Sequence, residues 1–309
     1  MEIVKIENII LKAMNKGLNV FTPLHSGRGK GVGLLLCLLV VIASCASPSG
    51  EGQGESLEGL HIPECIVTSV PDSLGLDSFY VKYVDVNGLP LVSSWRVPDS
   101  AFVAAHRTLY AMTSMLAPEV LQAMIKSGAR VAIMGRYEGT TDLPEHHYLV
   151  NDTSLNWDLR ARGLGGTIDE PLTSCAEENV LAYQIDKYHA EDILVHEFAH
   201  AIHCIGIIQV DTTFNRRLQS LYEAALGRGD LDNTYRATDK EEYLAEAVQD
   251  WFNVNAEMPH TDGKHNWCNT REELKDFDPD LYQLLSEYFP ETNLQISKHK
   301  KVNEYGPIH

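Results

Sequence analysis

His196-Glu197-Phe198-Ala199-His200 constrains this chain more than any other stretch, because its three ionisable groups stand inside a run that is otherwise uncharged. From Ile193 to Ile202 only these motif residues ionise, which predicts a helix buried through the middle of a domain. Histidines four apart leave one face of a helix a single turn from each other, so both imidazoles can converge on one tetrahedral ion. Glu197 points about 100° away around the axis, toward the flank where a reacting water would lie, in place to accept its proton. HExxH is the pattern of zinc hydrolases. The competing reading is a buried helix whose histidines and glutamate satisfy one another, and burying three such groups without an ion is costly.

A catalytic ion needs a third protein ligand and an open position. The metzincin pattern requires Gly at 203 and His at 206, whereas this chain has His203 and Gly206, so that class is excluded. His203 lies seven residues after His196, roughly 10 Å along the axis, too far to share an ion with His196 and His200, and reads as a supporting or packed residue. Downstream, Glu241 to Phe252 has the spacing of a further helix, with Glu242, Glu246 and Asp250 on one stripe. Two registers fit a ligand followed one turn later by an acid that holds a ligand histidine: Glu242 with Glu246, or Glu246 with Asp250.

These two segments, His196-Glu197-Phe198-Ala199-His200-Ala201 and Glu242-Tyr243-Leu244-Ala245-Glu246-Ala247, resemble gluzincin metallopeptidases related to the catalytic domain of anthrax toxin lethal factor and the clostridial Pro-Pro endopeptidases. The segment from Glu242 to Ala247 is similar to that family's E-[FY]-F-A-E-[AS] helix, in which the leading Glu binds zinc and the following Glu braces a histidine. The family also carries a tyrosine seven residues before the ligand. That offset gives Tyr235 before Glu242 but Asp239 before Glu246, so the resemblance selects Glu242 as ligand and Glu246 as brace. It further implies that the Tyr235 hydroxyl donates to the tetrahedral intermediate. The chain departs from the family at Ala199, where Gly is usual, and at Val248, where Phe is common, neither of them a ligand position. The match covers about a third of the chain beyond its leader, so fold class and metal chemistry carry over and substrate preference does not.

Val32 to Ala43 is an apolar run of twelve residues behind Lys16, Arg28 and Lys30. It is too short for a stable membrane span and suits a signal-peptide core, with Met14 as an alternative start. Ile42-Ala43-Ser44-Cys45 resembles the bacterial lipobox, which implies a leader over 1–44 and lipid on Cys45; a plain secretory signal shares the small residues. Residues 45–57, rich in Gly, Ser and Glu, read as a flexible tether. By resemblance to lipoprotein sorting, Ala46 after the cysteine points to the outer membrane or cell surface.

Without residues 1–44 the chain has 265 residues, enough for one domain with a substantial core, here expected over 58–296 with a polar tail at 297–309. The formal charge is −18 and the leader holds five basic and two acidic residues, so the remainder is near −21. That acidity argues against nucleic acid or an anionic lipid surface as a partner. Cys65, Cys175, Cys204 and Cys268 form an even set, which in an exported protein suggests two disulfides, one of them bracing the site helix through Cys204.

Phe79 to Val92 alternates and turns at Asn87-Gly88, the pattern of a hairpin. Pro98-Asp99-Ser100 opens a helix to about Leu116, another reaches about Lys126, and Ala129 to Met134 reads as a buried strand. This order predicts an α+β, zincin-like domain: mixed sheet and helices first, then the HExxH helix and a mostly helical C-terminal half. The glycine-rich stretch Arg162 to Thr167 lacks the Gly-Lys-Ser/Thr of a phosphate loop and reads either as a strand edge that takes substrate by strand addition or as a plain turn. Glu177, Glu178 and Asp186 read as a solvated acidic stretch or a structural cation site, and His265 and Asn266 as residues within possible reach of the metal.

The expectation is therefore one zinc ion held by His196, His200 and Glu242, with Glu197 as general base, Tyr235 as oxyanion donor and Glu246 behind a histidine, cleaving a peptide or protein from a membrane anchor on Cys45. Two rivals stand beside it: a metal-containing surface binding module without activity, and a hydrolase of a cell-wall amide.

Overall fold

The computed structural model describes residues 56–57, 60–188 and 190–292. The leader, Cys45, the tether as far as residue 55 and the polar tail lie outside them. Ser56–Leu57 (β1), expected as the end of the tether, pairs antiparallel with Leu60–His61 (β2), a ladder that needs only backbone groups.

The fold is mixed α+β, built on a five-stranded sheet. Lys82–Val86 (β3) and Leu89–Ser93 (β4) form the expected hairpin, because Asn87 and Gly88 both take the positive φ that a two-residue turn of this hand requires. Asp99–Thr113 (α1) follows, and ends before Leu116 because Ala117 precedes Pro118 and is held extended. Pro118–Lys126 (α2) leads into Arg130–Met134 (β5). The short strand Gly163–Leu164 (β6) and Leu172–Ala176 (β7) complete the sheet in the order β3-β4-β5-β7-β6. β4, β5 and β7 run parallel, while β6 is antiparallel to β7 and forms one edge.

Helices make up the rest. Ile193–Ala201 (α3) carries the HExxH motif and is nearly all buried, starting where the Asp192 side chain accepts from the Val195 N–H. It continues through a wider π-helical stretch, Ile202–Ile207, where Gly206 passes so close to α2 that a Cβ there would meet Val120 at 2.8 Å. The glycine that breaks the metzincin pattern is thus a packing residue. The whole stretch Ile193–Val210 is apolar enough in composition to cross a membrane, yet 67% of it is buried inside the domain, as the core helix of a folded unit is. Phe214–Arg228 (α4) leads to Lys240–Trp251 (α5), which begins at an Asp239 cap on the Glu242 N–H; Arg271–Phe277 (α6) and Pro279–Ser286 (α7) close the described region. α3 lies between the β6–β7 edge and α5, so the motif helix is covered on both sides.

Two further expectations change. None of Cys65, Cys175, Cys204 and Cys268 forms a disulfide. Cys175 is sealed in the middle of β7 and Cys268 donates to the buried Asp250 carboxylate. Glu177, Glu178 and Asp186 are buried rather than solvated: Glu178 takes a two-pronged ion pair from Arg162, Asp186 accepts from Asn179 and the Tyr188 N–H, and Glu177 accepts from the Arg136 N–H. Both carboxylate oxygens of Glu178 and of Asp186 are engaged by these partners.

Candidate metal centre

α3 and α5 bring three ligand atoms together. His196 Nε2 lies 2.9 Å from Glu242 Oε2 and 3.3 Å from His200 Nε2, and His200 Nε2 lies 3.5 Å from the same carboxylate oxygen. Ligands at about 2.0–2.2 Å from a tetrahedral zinc stand about 3.3–3.5 Å apart; both separations from His200 Nε2 match this, and the one between His196 and Glu242 is shorter. The donor set, two imidazoles and one carboxylate, is that of a catalytic rather than a structural zinc site.

The surrounding charges explain why the cluster is tolerated. Burial opposes a charge on His196 and His200, yet the Glu242 carboxylate outweighs it and raises both imidazoles, helped by Glu197. Glu242 is likewise held well below its usual range, burial being overcome by the two histidines. Burial pushes the Glu197 carboxyl up against the pull of His196 and His200. Protein groups thus neutralise one another where a cation would otherwise do so.

Tyr235 is set down beside this cluster. Its hydroxyl donates to Glu242 Oε1 at 3.1 Å and its ring centroid is 6.3 Å from that of His196. Its N–H donates to the Lys264 carbonyl at 2.7 Å, so the loop after α5 fixes the segment from behind. Burial and the Glu242 carboxylate raise the phenol, which keeps its proton as a donor.

The edge strand closes the other side. A Cβ at Gly163 would stand 2.6 Å from Ile193 and 3.0 Å from Glu197, and one at Gly165 would stand 2.6 Å from His200 Cβ. The glycines of the 162–167 stretch are therefore required by close approach to the motif helix, and that stretch is a strand edge rather than a plain turn. Gly165→Ala is expected to lower stability by about 1–3 kcal/mol, since His200 Cβ belongs to the helix and cannot swing away; an unchanged urea midpoint would show that strand and helix do not press together.

Other residues fall outside the cluster. His203 Nε2 donates to Asn215 Oδ1 across 2.7 Å, the ring packs on Phe214, and burial lowers its pKa to about 4. His265 Nε2 faces Glu191 Oε2 at 3.4 Å and, with Glu246, forms a separate group behind His196 rather than joining the ligand cluster. Asn266 caps the Cys268 N–H. Glu246 Oε1 is 3.8 Å from His196 Nδ1, whereas Gln249 Oε1 is 2.9 Å from it, a residue that sequence reasoning did not single out. Asp250, the acid of the other register, pairs with Arg236 at 2.5 Å and so serves the core. Compared with protein-family models, with curated proteins and with solved structures, the chain finds no match in any of the three.

Proposed function

We propose that this chain is a zinc-dependent endopeptidase of zincin-like architecture, held outside the cytoplasm by lipid on Cys45. The observation that carries the reading is the meeting of His196 Nε2, His200 Nε2 and Glu242 Oε2 from two separate helices at close to the spacing one tetrahedral ion needs. Zinc held by these three would supply Lewis acidity, polarising a carbonyl and lowering the pKa of a water toward about 7.

The chain's own groups do the rest. Glu197, half-buried on the same helix, takes the proton of the attacking water and passes it to the leaving amine. Tyr235, which keeps its hydroxyl proton, donates to the oxygen that gains charge. β6 ends its sheet beside the motif helix, so an extended peptide added to that edge passes the ligand histidines in a fixed register. The lipid anchor and the extracytoplasmic location rest on the leader and lipobox pattern of residues 1–45.

The test is zinc content by elemental analysis of the purified protein beside Glu242→Ala, with a mixed-peptide digest read by mass spectrometry. One zinc per chain in the wild type, depleted in Glu242→Ala, with peptides cut by the wild type alone, is the expected result. Zinc without cleavage would favour a binding module, and no zinc would end the metal reading.

A further inference from the structure

Gln249 is fully buried one turn after Glu246 on the face of α5 that meets α3. The two ends of its amide are not interchangeable here. Nε2 lies 3.0 Å from the Asp192 carbonyl, which only accepts, and 3.4 Å from Glu191 Oε2. Those neighbours fix the amide nitrogen on that side, which turns Oε1 toward His196 Nδ1 at 2.9 Å. An amide oxygen only accepts, so Nδ1 must carry a hydrogen, and Nε2 is left to present its lone pair to an ion.

The anchor of this amide is also the start of the motif helix. The Asp192 side chain caps the Val195 N–H, its carbonyl accepts the first bond of α3 from the His196 N–H, and its own N–H donates to the Val254 carbonyl just beyond α5. One residue therefore sets where α3 begins and which way Gln249 faces. Glu246, the brace that the resemblance to gluzincins implies, is turned elsewhere: Oε1 is 3.8 Å from Nδ1, and Oε2 accepts from Asn255.

We infer that Gln249, rather than Glu246, is the positioning residue that holds His196 in its metal-binding tautomer. This rests on the metal reading of the preceding section. The amide itself adds no negative charge behind the ligand; the carboxylate near Nδ1 is that of Glu246, 3.8 Å away.

Two measurements test it. One is zinc affinity by chelator competition for the wild type, Gln249→Met and Glu246→Gln. Gln249→Met, similar in size but without an acceptor, is expected to bind about 10- to 100-fold more weakly, and Glu246→Gln to stay within about threefold of the wild type, below the loss expected for an outer partner of a ligand. The other is a long-range 1H–15N spectrum of the zinc-loaded wild type, which needs no variant to fold and is expected to show His196 protonated at Nδ1. Wild-type affinity in Gln249→Met, the full loss in Glu246→Gln instead, or an unprotonated Nδ1 would each overturn the role of Gln249 and leave the metal reading standing. A wild type that takes up no zinc would overturn both.

Discussion

Under the proposed zinc-peptidase reading, Glu197→Gln is expected to bind zinc as the wild type does and to lose about 10³-fold in kcat/KM for peptide cleavage, within the range of a positioned general base. Glutamine has the shape of glutamate and fits the same space beside Gly163, so the strand edge and the motif helix stay where they are. It cannot accept a proton, and no other carboxylate stands in its position: Glu242 is already engaged by His196, His200 and Tyr235. The loss corresponds to about 4 kcal/mol of transition-state stabilisation. The check is peptide kinetics on samples whose zinc content has been matched to the wild type. Cleavage within tenfold of the wild type would remove Glu197 from the proton path.

Asp250→Ala is expected to cost about 3–5 kcal/mol of stability, the range for leaving one member of a buried ion pair alone. Arg236 is 1% exposed and its Nη2 reaches Asp250 at 2.5 Å and the Cys268 carbonyl at 3.1 Å, while its Nε and Nη1 atoms have no hydrogen-bond partner. Removing the carboxylate leaves a guanidinium in the core with the Cys268 carbonyl and the Phe277 ring beside it. Arg236 is the neighbour of Tyr235, and Asp250 stands two turns beyond Glu242 on α5, so this pair fastens the tyrosine segment to the ligand helix. Denaturant unfolding of the metal-free protein reads the cost without the contribution of bound ion. Pairing Asp250→Ala with Arg236→Met is expected to recover much of it; a single variant as stable as the wild type would show that the ion pair does not hold the segment.

Much of the frame was legible in the chain because local patterns specify local structure. Asn87-Gly88 names its turn by the backbone signs it tolerates, Pro118 ends one helix and opens the next, and the lone charges of the HExxH run mark a buried helix. The third ligand was harder. Spacing alone left Glu242 and Glu246 equivalent, and only the offset to Tyr235 in a resembling family separated them; the structure brings Glu242 to the histidines.

What escaped was set by partners distant in the chain. Glu178 has the character of a surface acid until Arg162 arrives from sixteen residues away, and Asp250 fits the role of brace until Arg236 takes it. The even cysteine count carried no information about which layer each thiol would enter. Gln249 bears no charge to mark it on the helix, and a buried neutral amide reveals its purpose only when both its neighbours are known. A signal was nonetheless present, an uncharged polar residue on the most buried face of α5.

The edge strand and the turn after it have no side chain at 163, 165 or 166; at 163 and 165 a Cβ would run into the motif helix, and at 166 it would be tightly crowded. Under the proposed function, a peptide laid along such a wall meets mostly amide and carbonyl groups, with Leu164 the one side chain between the glycines. Contacts of that kind depend little on sequence, because every sequence has the same main chain. If the proposed cleavage holds, choice among substrates would have to come from other side chains, and the segment that carries Tyr235, set beside the histidines, is one that offers them. Exchanging that segment, while the glycine wall stays untouched, would then be an economical way to redirect what is accepted.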